Sequence, residues 1–412
     1  MAEGGRTTTA RRVIWVLLAA VMFGTGASAG VLLRPDAAPT AAHGSGVVLS
    51  AARGVDDGFV LLPRFGGFDA EPGPDPVRLI GKDGRVAHEW RLPAPVGGHV
   101  ELFPNGDLMY LGILDSIIAG DDPTPAPGAA GLLQRVDASG SVVWTHEDPF
   151  IHHDFDLLPD GTVAALRWSK MSEAASKAVR GGVPGSETDG AVWDDEIVEI
   201  GEDGRERVVW RARDVLDGRE DALPTYVGRA EWTHANSLRY VPNDPLTGRE
   251  AYLVSFRQIS VIMLVSRDSG EVIWRYGGDW VLHQQHDPSL LDNGNILVFD
   301  NGQYRRNQIS ASAVLEIEPE TNEVVWQYMG PGVGGWEFYS SIISGAQRLP
   351  NGNTLIIEGL TGRLIEVTPE AEVVWEFRNP YVKPGRFGGT PNRAIFKARS
   401  YPGEYVRPLL AE

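Results

Sequence analysis

The chain has 412 residues, 42% hydrophobic and 22% charged, which supplies a large core and excludes a disordered polymer. A formal net charge of −18 sets it against nucleic acid, because a polyanion is repelled over most of such a surface. The absence of cysteine excludes disulfides, thiolate catalysis and Cys-ligated zinc or iron–sulfur centres, while 49 Gly, 28 Pro and 12 Trp point to many short strands joined by turns.

Beyond Arg6, Arg11 and Arg12 runs the uncharged segment VIWVLLAAVMFGTGASAGVLL, residues 13–33. Its length is about the 20 residues that cross a bilayer. The small residues around Ala29 also suit a signal-peptidase site, so residues 1–34 are expected to be a signal peptide or a signal-anchor helix. In both cases the arginines stay in the cytoplasm and the body is exported. The expected location is therefore extracytoplasmic, periplasmic or cell-surface, with the protein secreted or membrane-anchored. Residues 35–54, rich in Ala, Pro and Gly, read as a flexible linker, which leaves 55–412 for the fold.

From there the chain repeats a hairpin whose second strand ends in Trp. The copies are VRLIGKDGRVAHEW, LLQRVDASGSVVW, EIVEIGEDGRERVVW, IMLVSRDSGEVIW, VLEIEPETNEVVW and RLIEVTPEAEVVW, ending at Trp90, Trp144, Trp210, Trp274, Trp326 and Trp375. Spacings of roughly 50 to 65 residues belong to propellers and arrays. A second hairpin alternates with the first, as in HVELFPNGDLMYL, HDFDLLPDGTVAAL, HDPSLLDNGNILVF and SGAQRLPNGNTLII, with Asn-Gly or Asp-Gly at the turn. Two hairpins make a four-stranded blade. The unpaired pieces GFVLLP, residues 58–63, and NRAIFKARSY near the C-terminus would join in one blade and close the ring. The prediction is an all-β, six-bladed β-propeller of four-stranded blades. Inserts at 115–131, 168–194 and 330–343 break the period and are placed to act as surface loops or lids.

In a propeller the first strand of each blade lines the central channel. The leading positions of successive units are Gly98-His99, His153-Asp154, His234-Ala235-Asn236, His286-Asp287, Ser344-Gly345 and Asn392-Arg393. Converging imidazoles leave two chemistries open. A metal centre is one. Against it, helical His-x-x-x-His motifs are absent, and Asp154 and Asp287, each following its histidine, would point to the opposite face of a regular strand. The other is nucleophilic catalysis by imidazole, which needs cationic and amide donors for developing anionic oxygens. Arg257 in YLVSFRQIS and Asn236 are donors of those two kinds.

The segments HHDFDLLPDG, EWTHANSLRY, YLVSFRQIS, GEVIWRYGG, QHDPSLLDNGNILVFDNG and GAQRLPNGNTLI, in this order, resemble the bacterial arylsulfotransferase family over residues 58–412. That resemblance implies transfer of a sulfuryl group from an aryl sulfate to a phenol, without a nucleotide donor or a cofactor. It implies His286 as the transiently sulfated nucleophile in a ping-pong mechanism. It implies His234, Asn236 and Arg257 as ligands of the sulfuryl oxygens, His153 as the proton-transfer group, and Ser344 as a substrate contact. The implied partners are small-molecule phenols and aryl sulfates. The chain departs from some members in having no cysteine and little room for an N-terminal accessory domain, and looks like a shorter, divergent branch. Two readings from other classes remain: a non-catalytic binding propeller, and a quinone-cofactor redox propeller.

Overall fold

The computed structural model describes residues 46–411, apart from 52, 70, 121–123, 126–127, 279–280, 306–308, 332–336 and 387–389. The expected signal or anchor segment, 1–34, lies outside the described residues. Among the described residues no helix is long and apolar enough to cross a membrane.

Six antiparallel sheets follow one another along the chain. Blade two is built from Val96–Leu102, Leu108–Ile113, Gly131–Val136 and Val142–Glu147, and blade three from Ile151–Leu157, Val163–Lys170, Trp193–Ile200 and Glu206–Arg211. Blade four spans Ala235–Val241 to Val272–Gly277, blade five His286–Leu290 to Glu323–Tyr328, and blade six Gly345–Arg348 to Val373–Arg378. Blade one joins Phe59–Leu62, Val77–Ile80 and Val86–Trp90 to the C-terminal strand Arg399–Tyr401, as the two unpaired pieces of sequence require. Val47–Ser50, within the stretch read as linker, adds a fifth strand to the outer edge of blade six.

Burial explains the pattern of each strand. The second strands, such as AYLVSF and TLIIE, are covered on both faces by neighbouring blades and carry apolar side chains at nearly every position. The outermost strands, such as VVWTHE, alternate between exposed and half-buried positions.

The repeated tryptophans tie the blades together. Each indole N–H donates to the next blade: Trp90 to Gly106 O (3.1 Å), Trp144 to Glu202 O (3.1 Å), Trp210 to Gly270 O (3.2 Å), Trp274 to Asn322 Oδ1 (2.8 Å) and Trp326 to Pro369 O (2.8 Å). The circuit ends where it began, with Trp375 donating to Lys82 O of blade one at 2.8 Å. An acceptor in a turn of the next blade, a backbone carbonyl in five cases and the Asn322 side chain in the sixth, is the physical reason for one Trp per repeat.

Two expectations about the channel are corrected. Asn392-Arg393 does not lead the closing strand: Asn392 pairs with Lys383 in a separate two-stranded ribbon, and its amide donates to Phe65 O and Asp69 Oδ1. The closing strand has only three residues and no hairpin of its own to set its register, so its lead falls instead at Lys397. Nor do Asp154 and Asp287 point out of the channel. Lys397 from blade one lies 2.5 Å from Asp154 Oδ2 of blade three and 3.2 Å from Asp287 Oδ1 of blade five. Alternate blades share no edge and meet in this way at the axis. Strict alternation fails because the strand heads are bulged: His153, His234, Asp287 and Ser344 have φ of 55°, 51°, 54° and 93°, and pairing slips beside His286 and Ala235.

Candidate active site

The bulges divide the channel into two levels. The lower is a buried ionic layer. Asp287 receives Arg399 at 2.7 and 2.8 Å and Arg239 at 3.3 Å in addition to Lys397. Burial opposes the Asp287 charge, but Arg399, Lys397 and Arg239 outweigh it and hold the carboxyl well below its usual range. At the head of blade six Gly345 is required, because a Cβ there would lie 2.2 Å from Asp287 Oδ2.

Above that layer opens a cavity of about 550 Å³ lined by His153, His234, Arg257 and His286 together with Phe65, Phe68, Phe396, Tyr226, Tyr304, Ile342 and Ile343. Four of the six residues selected from sequence therefore meet in one apolar, aromatic pocket. The inserts 115–131 and 330–343 reach it through Gly128 and through Ile342 and Ile343. Among the lining residues none comes from the insert 168–194; its place is taken by the segment carrying Tyr226 to Glu231.

His286 is 3% exposed and its protonation is fixed by its neighbours. Asn301 Nδ2 donates to Ser340 O (2.7 Å) and Ile343 O (2.9 Å), which turns Asn301 Oδ1 toward His286 Nδ1 at 2.6 Å. Gln284 O, a second acceptor, is 3.2 Å from the same nitrogen. The proton of a neutral His286 therefore sits on Nδ1, and Nε2 keeps its lone pair, which accepts the Ile343 N–H at 3.2 Å. Burial first, and then the Arg257 charge, hold this imidazole well below its ordinary pKa, so it is neutral at physiological pH.

His153 is lowered in the same way, by burial and then by His234, His152, His286 and Arg257. Its ring is 4.6 Å from that of His234 between centroids. Gly128, at φ +107°, packs on the Cε1–Nε2 edge of His153, where an added Cβ would come within 2.2 Å of Cε1. His234 Nδ1 contacts the Glu231 carboxylate, whose other oxygen accepts the Trp168 indole N–H at 3.0 Å. Arg257 Nη2 donates to Gln303 Oε1 at 3.0 Å, and among the described residues no carboxylate forms an ion pair with it. A guanidinium with no ion pair among the described residues, beside the neutral imidazoles of His153 and His286 in a largely apolar cavity, suits an anion carried on an aromatic body.

The family profile for arylsulfotransferases (ASST) matches residues 128–380, a span that holds every candidate site residue. The chain belongs to the arylsulfotransferase family. No curated protein matches it. Among solved structures, a protein of unknown function from Bacteroides caccae is 14% identical with a TM-score of 0.48, covering 84% of this chain and 99% of that one. Virginiamycin B lyase from Staphylococcus aureus is 11% identical with a TM-score of 0.37, covering 68% and 69%. AztD from Citrobacter koseri is 12% identical with a TM-score of 0.33, covering 80% and 71%.

Two residues expected from the arylsulfotransferase resemblance stand behind the pocket wall rather than in it. Asn236, fully buried, donates from Nδ2 to Gln285 O at 2.8 Å and so braces the residue before His286. Ser344, also fully buried, donates to Ser340 Oγ at 2.9 Å and accepts the Gly359 N–H at 3.0 Å, which shapes the loop that presents Ile343. Sequence reasoning missed Asn301 and Glu231, although both lie inside the quoted segments, one in FDNG and one three residues before His234. It also missed Asp195 and His152, whose approach depends on strands far apart in the chain.

Proposed function

We propose that this arylsulfotransferase moves a sulfuryl group from an aryl sulfate to a phenol through a covalent N–S intermediate on His286. The observation that carries the reading is the tautomer: Asn301 and Gln284 accept the Nδ1 proton, so the nucleophilic lone pair lies on Nε2, in a cavity that Arg257 also lines.

In the first half-reaction Nε2 attacks sulfur and the S–O bond to the donor phenol breaks, its electron pair leaving on the phenolate oxygen. His153 supplies the proton that this oxygen takes up. Arg257, His234 and the Ile343 N–H released from Nε2 are the donors for the sulfuryl oxygens. In the second half-reaction the acceptor phenol gives its proton to His153 as its oxygen bonds to sulfur, and the N–S pair returns to Nε2. Asn236 and Ser344 act here as braces of the His286 and Ile343 backbones. Phe65, Phe68 and Phe396 form the apolar wall for either phenol in turn. The ionic layer beneath the cavity supports a single entrance, so that one phenol departs before the other enters. The export expected from residues 1–34 places this reaction outside the cytoplasm.

The test is rapid quenching during turnover of an aryl sulfate, followed by mass analysis of the peptide that contains His286. A sulfuryl increment on that histidine, lost in His286→Ala, is expected. Steady turnover with His286 unmodified would reject the reading.

A further inference from the structure

Behind the cavity lie two buried groups that the reaction above does not use. Asp195 is 1% exposed and His152 is fully buried between it and His153. His152 Nε2 lies 3.1 Å from Asp195 Oδ1, and His152 Nδ1 lies 2.8 Å from His153 Nδ1. Trp168 stacks on His152 with centroids 4.1 Å apart and planes 13° from parallel, which keeps the ring from turning away. Asp195 Oδ2 accepts the Ala235 N–H at 2.8 Å and the Thr233 hydroxyl. Burial raises the Asp195 pKa, but His152, Thr233 and the Ala235 N–H together outweigh it, and the group stays a carboxylate.

Two ring nitrogens at hydrogen-bond distance share one proton between them, so this row has two protonation states. In the first, His152 keeps its proton on Nε2 toward Asp195, its Nδ1 accepts from the His153 Nδ1–H, and His153 Nε2 is an empty base. In the second, His152 is an imidazolium paired with Asp195, and His153 carries its proton on Nε2. The two differ by one proton, gained or lost at His153 Nε2. Three groups face His153 besides His152, namely His234, His286 and the Arg257 cation. Asp194 acts on Asp195 from the neighbouring position, and Glu231 holds the Trp168 indole. A positive charge on His153 would sit near Arg257, whereas on His152 it sits against Asp195.

Resting on the sulfuryl-transfer reading, we propose that Asp195 and His152 are positioning residues that store the phenolic proton, as a His152 imidazolium–Asp195 pair, in the unsulfated enzyme, from the second half-reaction of one turnover to the first of the next. When the acceptor phenol's O–H bond breaks, its proton goes to His153 Nε2, the His153 Nδ1 proton passes to His152 Nδ1, and the phenolic oxygen forms the S–O bond. When the donor phenol leaves, the same transfers run in reverse and the phenolate leaves as the phenol.

Single-turnover sulfation of His286 tests this with two donors. The leaving group of 4-nitrophenyl sulfate is a stabilised phenolate that needs no proton, while that of phenyl sulfate does. In Asp195→Asn, and in His152→Gln, which can keep both contacts but cannot hold the charge, sulfation by 4-nitrophenyl sulfate is expected at the wild-type rate. Sulfation by phenyl sulfate should fall about 100-fold, the scale of a lost general acid. Equal slowing with both donors, or none with either, would overturn the relay. The two variants also cover each other should one fail to fold. Absence of sulfated His286 in the wild type with either donor would instead remove the reaction on which the relay rests.

Discussion

Asn301 Oδ1 lies 2.6 Å from His286 Nδ1, and the two carbonyls on the Asn301 amide nitrogen fix which atom faces the ring. This is the contact that decides which imidazole nitrogen keeps its lone pair. Replacing the amide with a carboxylate keeps the shape, sets a negative charge beside Nδ1 and gives up the two donations to Ser340 O and Ile343 O. In Asn301→Asp the imidazolium gains a neighbouring negative charge, and the His286 pKa should rise. Nε2 of His286, the proposed nucleophile, is then protonated at pH values where the wild type is free. The expected profile of kcat/KM against pH is flat through mild acid for the wild type, with its acid limb moved toward neutrality in the variant.

Arg257 separates binding from folding. Its guanidinium forms no ion pair among the described residues, and burial outweighs the Glu231 charge that acts on it, so on the proposed reading its burial is a cost set against binding of the sulfuryl group. In Arg257→Leu, kcat/KM should fall about 100- to 1000-fold, the scale of one lost oxyanion donor. The midpoint of urea unfolding should stay or move upward. A lower midpoint would mean that the arginine is structural.

The depressed histidines also set a stability window. His99, His153 and His286 are all lowered by burial first, so the unfolded chain binds protons that the folded chain does not. The stabilisation from keeping them neutral is full above the unfolded value, about 6.5, and is lost as pH falls below it. Thermal midpoints should therefore decline with acidity from about pH 6.5. The decline should be shallower in His99→Gln, which removes a proton-binding group outside the catalytic cavity.

How much of this was legible in the sequence follows from which contacts are local. The six tryptophans and the Asn-Gly and Asp-Gly turns mark the blades because each repeat offers an indole N–H to a turn of its neighbour. Strand order and ring closure could therefore be read without coordinates. The meeting of His153, His234, Arg257 and His286 was legible because strand heads in a propeller converge. The failures at the strand heads share one cause. Alternation assumes regular strands, and the left-handed residues at His153, His234, Asp287 and Ser344 shift the side chains after them. This sends Asp154 and Asp287 into the ionic layer and leaves Asn236 and Ser344 behind the wall. Lys397 has no motif at all; only the closure of the ring brings it to Asp154.

That closure gives the last prediction. Lys397 enters from the C-terminal strand and bridges Asp154 and Asp287, each fully buried, so it couples the first blade to the third and the fifth. In Lys397→Met, Asp154 keeps the Leu238 N–H at 2.7 Å and Arg239 at 3.8 Å, but loses its closest cation. Breaking a buried pair on one side costs about 3 to 5 kcal/mol, whereas replacing both partners with apolar groups is often close to neutral. Lys397→Met should therefore lower unfolding stability by that amount, and Lys397→Met with Asp154→Leu should recover part of it. The midpoints should respond little to added salt, because the layer is shielded from the ionic atmosphere. Urea titrations of the two single variants and the double variant give the coupling energy directly. A coupling near zero would show that the layer fills the channel without holding the ring closed.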